Sequence, residues 1–197
     1  MYLEAILLGL IIGFIRNGSF QNFMNAKFKG WIMAPIAFIV FLAPYIMALL
    51  GIEIANPSIL PFIGMVVCAL ILIVNHDKRG VKLILIGTAL NLIVMGLNGF
   101  KMPVATESIL STTLLPFANS VSQGDIINYS VMPSGDLISK VLGKSIFLPE
   151  GYPLNRILSV GDIIISLGIV LLIQEEMRFH VKKLKNTMVR FSYRDRG

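Results

Sequence analysis

The sequence of 197 residues is short of charge and nearly free of cysteine. Only 14% of its residues are charged, whereas a soluble domain carries about 25%. So few polar side chains cannot cover a water-exposed globule of this size, and we therefore expect much of the surface to face lipid. The one cysteine, Cys68, excludes an intramolecular disulfide and a metal site built from cysteines.

The sequence also lacks the motifs of familiar catalytic sites. The two histidines, His76 and His180, stand in separate segments, and no HExxH, GxSxG or phosphate-loop motif occurs. These absences favour a protein that is not an enzyme, with no catalytic residues, no metal and no cofactor. The N-terminus is apolar at once but has no basic segment or cleavage site, so we expect a retained helix rather than a signal peptide.

Apolar residues, by contrast, make up 55% of the chain and fall into five segments. None of the segments alternates as a barrel strand does, so they predict an all-α, polytopic membrane protein with about five transmembrane helices. A single bundle over residues 1–174 would be followed by a cytoplasmic basic tail over 175–197. The predicted spans are 2–15, 31–51, 58–74, 81–98 and 159–174.

The charges predict the orientation of these helices. Basic residues fill the loop after the first span, the loop after the third span and the tail, whereas the loop after the second span has Glu53 as its charged residue. Under the positive-inside rule the basic segments are cytoplasmic, so the N-terminus and residues 99–158 lie outside the cell membrane. Topology thus explains the net charge of +6, and we expect no nucleic acid partner.

The basic tail predicts an amphipathic helix. Its apolar residues recur at 177, 181, 184, 188 and 191, on one helical face, with lysines on the other. Such a helix binds the anionic lipids of the inner leaflet, at about 1 kcal/mol for each basic residue near the surface. The same pattern also fits a short heptad seam against a partner membrane protein.

The outer loop, residues 99–158, is too long to lack structure of its own in a compact protein. The stretch GDLISKVLGK, residues 135–144, predicts a short helix that starts at Asp136 and ends at Gly143. A second short helix or a re-entrant piece is predicted over SILSTTLLPF, residues 108–117.

Polar residues of the fourth span, namely Thr88, Asn91 and Asn98, share one helical face. An amide near the middle of a bilayer needs hydrogen-bond partners, so we expect this stripe to face the bundle. It forms either a helix–helix hydrogen bond or the wall of a polar cavity. In the first span, Gly9 and Gly13 have the spacing that lets a second helix pack closely.

The stretch NGFKMPVA, residues 98–105, ends the fourth span. Asn98 and Pro103 suffice to stop a helix. That role does not explain Lys101 or Met102, so the stretch is also a candidate for half of an outer-face site.

The last span begins at the same boundary with SVGD, residues 159–162, which predicts a capping box between Ser159 and Asp162. Because Lys101 leaves one helix where Asp162 enters the other, we expect these two residues to form an ion pair. The candidate outer-face binding or structural residues are Asn98, Lys101, Met102, Pro103, Arg156 and Asp162.

Two stretches together, NLIVMGLNGFKMPV (91–104) and SVGDIIISLGIVLLI (159–173), resemble an uncharacterised family of bacterial multipass membrane proteins, a domain of unknown function. In that family the first motif is Asn-Gly-Gly-Arg-Met-Pro-Val and the last helix begins Ser-Ile-Gly-Asp. Here Phe100 stands where the second glycine is usual, and Lys101 where arginine is usual. The resemblance implies an integral protein of the bacterial cell membrane, and it implies no reaction.

These features favour a non-catalytic membrane protein that binds a lipid or small ligand at its outer face, or that is a subunit or scaffold of a membrane complex. Asn98, Lys101, Arg156 and the start of the last helix would then meet an anionic headgroup. One alternative is a small transporter whose path the polar stripe lines, although no inverted repeat is present. The other is a membrane enzyme that uses Asp162 or Asp136 with Lys101.

Overall fold

A computed structural model describes residues 1–109, 114–148 and 156–192 of the chain, and the side chains of these residues except Ser108 and residues 179–192. Helices dominate the described residues, so the predicted all-α class is confirmed at that level. The helices are α1 (Tyr2–Ile15), α2 (Phe20–Met24), α3 (Met33–Leu49), α4 (Ile59–Val74), α5 (Val81–Leu97), α6 (Leu115–Gln123), α7 (Leu137–Leu142) and α8 (Val160–Ser192).

Five helices, α1, α3, α4, α5 and α8, lie over the five apolar segments. The first four have 14, 17, 16 and 17 residues. Helix α8 has 33, because the last apolar segment and the tail as far as Ser192 form one continuous helix. Most side chains of the tail, and all of residues 193–197, lie outside the described part, so the amphipathic face of the tail stays a prediction. Within the described residues, no helix has both the length and the apolar character needed to cross a membrane.

Glycines bring α5 and α8 into close contact. Gly80 lies opposite Gly168, and Gly87 lies opposite Gly161, so these four residues form what we call the glycine seam. Gly80 is the N-cap residue of α5 and Gly87 lies within that helix, while Gly161 and Gly168 are seven residues apart on one face of α8. A Cβ atom added to Gly87 would come within 2.5 Å of the Gly161 carbonyl oxygen, so the backbones leave no room for a side chain.

Helix α1 packs on α8 through Gly9 and Gly13, the pair predicted to allow close helix approach. Gly9 faces Ile173 and Gly13 faces Met177. The remaining helices join this group, because α5 contacts α4, which in turn packs on α3. The long helices therefore form a single bundle.

The bundle buries small residues and exposes large apolar ones. In α1 the buried residues are Ala5, Gly9 and Gly13, while Ile15 is 74% exposed. Helix α3 shows the same division, since it buries Ala37 and exposes most of its large side chains. The exposed large apolar residues of α1 and α3 are Tyr2, Leu3, Ile6, Leu7, Leu8, Ile11, Phe14, Ile15, Met33, Ile36, Phe38, Ile39, Ile46 and Leu49.

The described residues of the range 99–158, which we call the cap segment, lie at one end of the bundle and add short strands to the predicted short helices. Strand β1 (Met102–Val104) pairs in parallel with β2 (Tyr129–Val131), and β3 (Ile146–Phe147) pairs antiparallel with β4 (Ile157–Leu158). A 3-10 turn covers Thr106–Ser108. The cap segment has an apolar core of its own, made of Val104, Ile109, Leu114, Ala118, Val121 and Ile157.

Helix α7 lies within the helix predicted over 135–144. The Asp136 side chain accepts a hydrogen bond from the backbone N–H of Ile138 at 3.0 Å, and Gly143 follows the last helical residue. The capping residues therefore act at the positions where the sequence places them.

Helix α6 begins at Leu115, seven residues after the start of the helix predicted over 108–117. Pro116 occupies its first turn, where the missing N–H of proline costs no hydrogen bond. The proline thus starts a helix that the sequence analysis took to be near its end. Residues 110–113 of the predicted helix lie outside the described residues.

Candidate functional site at the cap end

The first turn of α8 contains a reciprocal capping box. The Ser159 hydroxyl oxygen accepts a hydrogen bond from the Asp162 N–H at 3.0 Å, and Asp162 Oδ2 accepts one from the Ser159 N–H at 3.2 Å. Two backbone donors at the start of the helix are thereby satisfied. The same bonds hold the Asp162 carboxylate in one orientation.

Three further side chains donate to this carboxylate. The Tyr2 hydroxyl donates to Oδ1 at 2.7 Å, the Asn91 amide donates to Oδ1 at 3.1 Å, and the Lys144 ammonium donates to Oδ2 at 2.9 Å. Asp162 is only 6% exposed, so its charge has lost most of its hydration and depends on these partners. We call Tyr2, Asn91, Lys144, Ser159 and Asp162 the Asp162 network.

The Asp162 network joins four parts of the fold. Tyr2 belongs to α1, Asn91 to α5 and Lys144 to the cap segment, while Ser159 and Asp162 form the start of α8. The Ser159 hydroxyl donates to the Asn91 side-chain oxygen at 2.9 Å, so the Asn91 amide is bonded through both of its ends. The network therefore fastens the cap segment to the bundle.

The predicted ion pair between Lys101 and Asp162 is corrected by the structure, which places Lys144 beside Asp162 instead. The Lys144 N–H donates to the Pro103 carbonyl at 2.9 Å, so the β1 backbone holds Lys144 next to α8. Lys101 lies in the turn before β1, is half-buried, and forms no ion pair with a described residue.

Met102 and Pro103 are buried residues of β1. Met102 is 5% exposed and packs in a cluster with Val94 and Met95 of α5. Pro103 accepts the backbone hydrogen bond from Lys144 at 2.9 Å. The stretch that ends α5 thus contributes to the Asp162 network through its backbone.

The side chains of the polar stripe, Thr88, Asn91 and Asn98, form hydrogen bonds with different parts of the fold. The Thr88 hydroxyl donates to the Ile84 carbonyl of its own helix at 2.8 Å. The Asn98 amide donates to the Ser139 hydroxyl oxygen of α7 at 2.8 Å. Of the three, Asn91 is the one that joins the Asp162 network, through a helix–helix hydrogen bond.

Asp136, the other carboxylate considered for catalysis, is engaged in capping α7. The Ser139 hydroxyl donates to Asp136 Oδ2 at 2.5 Å, and the backbone N–H of Ile138 donates to Oδ1 at 3.0 Å. These hydrogen bonds, that from Ser139 above all, hold the pKa of Asp136 below the ordinary range of a carboxyl group.

A cavity of about 380 Å³ opens beside the Asp162 network. Its apolar wall includes Phe117, Tyr129 and Leu158, and its polar wall includes Lys144 and Arg156. The Phe117 and Tyr129 rings meet edge to face, with centroids 5.5 Å apart, and the Lys144 ammonium lies 5.7 Å from the Tyr129 centroid. Arg156 is exposed and forms no ion pair with a described residue.

Tyr2 and Lys144 are the members of the network that the sequence analysis missed. Tyr2 opens an apolar segment and Lys144 directly follows a helix stop, so neither stands in a local pattern that marks a site. Their hydrogen bonds to Asp162 span 160 and 18 residues of chain. The one available signal was that a carboxylate at the edge of an apolar helix needs a cation.

Among the described residues, no group of three or more His, Cys, Asp and Glu side chains is placed to hold a metal ion.

Comparison with known proteins yields a family and a relative. Residues 25–174 match a family of unknown function, DUF5317. An uncharacterized protein from Thermotoga maritima is 26% identical over 183 residues, which cover 92% of this chain and 95% of that protein. No solved structure matches the chain. Membership of an uncharacterised family is thereby confirmed, while the motifs and the membrane character attributed to that family stay predictions.

Proposed function

The chain belongs to the DUF5317 family, and we propose that it is a non-catalytic membrane protein that binds a lipid or another small anionic amphiphile in the cavity at the cap end. The observation that carries this proposal is the wall of the cavity, where Phe117, Tyr129 and Leu158 stand beside Lys144 and Arg156. Apolar walls with a few placed polar groups are typical of small-molecule sites.

Arg156 is the residue best suited to meet the charged end of such a ligand. The positive charge of Lys144 is already balanced by Asp162 at 2.9 Å, whereas Arg156 forms no ion pair with a described residue and interacts only at longer range with Glu4, which is paired with the N-terminal ammonium. A guanidinium also presents a planar fork of donors, which matches a carboxylate or a phosphate. The aromatic wall would contact the apolar end of the ligand.

The exposed surface of the bundle supports a location in a membrane. In water, helices pack with their large apolar residues inward, because that burial supplies most of the stability. Here α1 buries Ala5, Gly9 and Gly13 and exposes most of its leucines and isoleucines. Small residues between helices and large apolar ones outside are what a lipid environment favours. The alternation of basic and non-basic loops agrees with this location.

The lengths of the helices set a condition on this location. Helices of 14 to 17 residues measure about 21 to 26 Å, and the hydrocarbon core of a bilayer is about 30 Å thick. Such helices would require a locally thinner bilayer, or apolar residues beyond their ends that extend the apolar band. Trp31, Ile32 and Leu50 flank α3 in this way and are 63 to 69% exposed.

The hydrogen bonding of Asp162 supports binding rather than catalysis. Both carboxylate oxygens accept two hydrogen bonds each, from Tyr2 and Asn91 at Oδ1 and from Lys144 and Ser159 at Oδ2. A general base needs an oxygen that can reach the proton of a substrate. The carboxylate suits the role of an anchor for the wall of the cavity.

A direct test is the binding of dodecyl phosphate to the full chain purified in a neutral detergent, measured by native mass spectrometry. We expect saturable binding that Arg156→Gln weakens about tenfold, because one charge-assisted hydrogen bond is lost. Lys101→Gln removes a charge from the same segment but outside the cavity lining, and it should leave the affinity unchanged.

Equal affinities in the wild type and Arg156→Gln would count against this site. Failure of the wild type to bind dodecyl phosphate at all, together with a second protein that copurifies in fixed stoichiometry, would favour the role of a subunit or scaffold instead.

A further inference from the structure

A second and larger cavity, of about 720 Å³, lies at the opposite end of the bundle, which we call the basic end. It forms where α1 stops, where the loop between α4 and α5 turns, and where α8 passes both. The glycine seam shapes it, because the contact of Gly80 with Gly168 lets the loop approach α8 closely. Backbone contacts between the loop and α8 therefore hold the wall of the cavity in position.

The lining of this cavity carries an excess of positive charge. It includes four basic residues, Arg16, Lys78, Arg79 and Lys82, and two acidic residues, Asp77 and Glu175. Each acid has a cation of its own.

The acids of the lining leave part of that positive charge without a counterion. Asp77 lies 3.7 Å from Lys29, a residue outside the lining, and Glu175 lies 3.2 Å from Arg79. Asp77 therefore pairs with a cation outside the lining, and Glu175 pairs with Arg79 of the lining.

Two of the cations face the cavity with their charge uncompensated by described residues. Arg16 donates to the side-chain oxygen of Gln174 at 2.9 Å, a bond to a neutral group that leaves its charge in place. Lys82 is exposed and forms no ion pair with a described residue. A third, Lys78, is paired with Glu176 at 2.6 Å.

We infer that the cavity at the basic end binds a phosphate-bearing anion between Arg16 and Lys82. Arginine and lysine from two different elements can grip a phosphate from two sides, the arginine through its fork of donors and the lysine as a point charge. The volume lies within the usual range of ligand pockets, about 300 to 1,000 Å³. The start of α5, with Lys82 in its first turn, adds the positive end of a helix dipole.

The membrane location proposed above decides which source supplies the phosphate. The basic end is the cytoplasmic end under the positive-inside rule, so the ligand there is the headgroup of an anionic inner-leaflet phospholipid. This step rests on the proposed function, whereas the binding of phosphate between the two cations does not.

The test uses the full chain in neutral detergent and compares phosphatidylglycerol with phosphatidylcholine by native mass spectrometry. The wild type should bind phosphatidylglycerol preferentially. Lys82→Gln should weaken that binding about fivefold, and Arg16→Gln with Lys82→Gln about thirtyfold, from the contribution of each basic residue near a charged surface. A control with equal loss of charge at the cap end, Lys101→Gln with Lys140→Gln, should match the wild type.

A parallel titration with inorganic phosphate separates the two sources. Weak phosphate binding with a marked preference for phosphatidylglycerol supports the lipid. Tight phosphate binding that Lys82→Gln abolishes, with no preference among lipids, overturns the lipid as the source and leaves a soluble phosphate compound. Phosphatidylglycerol binding equal in the wild type and both variants overturns the site. Extraction of the protein from membranes by alkaline carbonate would refute the membrane location alone, because the phosphate titration still tests the cavity.

Discussion

Asp162 illustrates how a single carboxylate can tie distant parts of a chain together. Its four donors come from α1, α5, the cap segment and its own capping box, and its side chain is nearly removed from solvent. A buried ion pair adds little to stability compared with apolar packing, but the loss of one partner leaves a charge without compensation. We therefore assign Lys144 a role in stability, because its ammonium compensates the buried charge of Asp162.

The first prediction concerns this pair. Lys144→Met should destabilise the protein by about 3 kcal/mol, because it leaves the Asp162 charge buried and unpaired. Lys144→Met combined with Asp162→Asn should cost less than the sum of the two single changes, by about 1 to 2 kcal/mol. Thermal unfolding in detergent measures all three. Strict additivity, or an equal loss in the Lys101→Met control, would contradict the assignment.

Phe100 shows a residue in a conformation that usually belongs to glycine. Its φ of 66° lies in the left-handed region, directly after Gly99 at 62°. The family resemblance noted from the sequence predicts glycine at this position, and glycine would adopt this backbone conformation without strain. The Phe100 ring packs against Phe62 with centroids 5.0 Å apart, a contact that offsets the cost of the conformation.

At the scale of the element, the glycine seam decides how α5 and α8 meet. The two helices run in opposite directions, so Gly80 at the N-cap of α5 faces Gly168 of α8, and Gly87 within α5 faces Gly161. The glycine pair of α1 was predicted to pack closely, whereas this contact was not predicted, although the same seven-residue spacing separates Gly80 from Gly87 and Gly161 from Gly168. Spacing within one helix shows which residues share a face, but it does not show which other helix that face meets.

The second prediction tests the seam with a control in the same helix. Gly87→Ala should lower the melting temperature, because its Cβ would meet the Gly161 carbonyl oxygen at 2.5 Å and the Ile165 amide nitrogen at 2.9 Å. Gly96→Ala should be neutral or raise it, because the Cβ would meet only the end of the Phe62 ring at 3.9 Å and alanine favours the helix by about 1 kcal/mol. Similar shifts for both variants would show that the close approach does not govern stability.

At the scale of the whole molecule, two features need a common explanation: the exposed apolar side chains and the position of the basic residues. The bundle exposes large apolar side chains along its helices, and its basic loops gather at the end opposite the cap segment. Apolar patches of this extent are rarely exposed to water. The lipid environment proposed above would account for both features, and that proposal puts the cap segment outside the cell and the basic end in the cytoplasm.

The third prediction tests this orientation, and the single cysteine simplifies it. In a Cys68→Ala background, Lys140→Cys on α7 should react with a membrane-impermeant maleimide in intact cells. Lys29→Cys at the basic end should react only after the cells are permeabilised. Both positions are exposed in the structure, so access across the membrane is the variable. Labelling of both in intact cells, or the reverse pattern, would exclude the proposed topology.

The sequence predicted the helices well because helix formation depends on near neighbours. Apolar runs located α1, α3, α4 and α5, and the residues Asp136 and Gly143 located α7. Prediction was poorer at Pro116, because proline is common both in the first turn of a helix and just after a helix end. Here it lies in the first turn of α6. The strands of the cap segment were missed because each has only two or three residues, too few for a periodic pattern.

By itself, then, the sequence determined the helical class, the capping of α7 and α8, and the need of Asp162 for a cation, since each of these follows from residues within a turn or two of one another. The tertiary structure alone decided that Lys144 and not Lys101 supplies this cation, and that Tyr2 and Asn91 join it. The physical reason is that an ion pair selects a partner by distance in space. Both lysines stand near the cap end, and it is the pairing of the Lys144 backbone with β1 that brings one ammonium to 2.9 Å from the carboxylate.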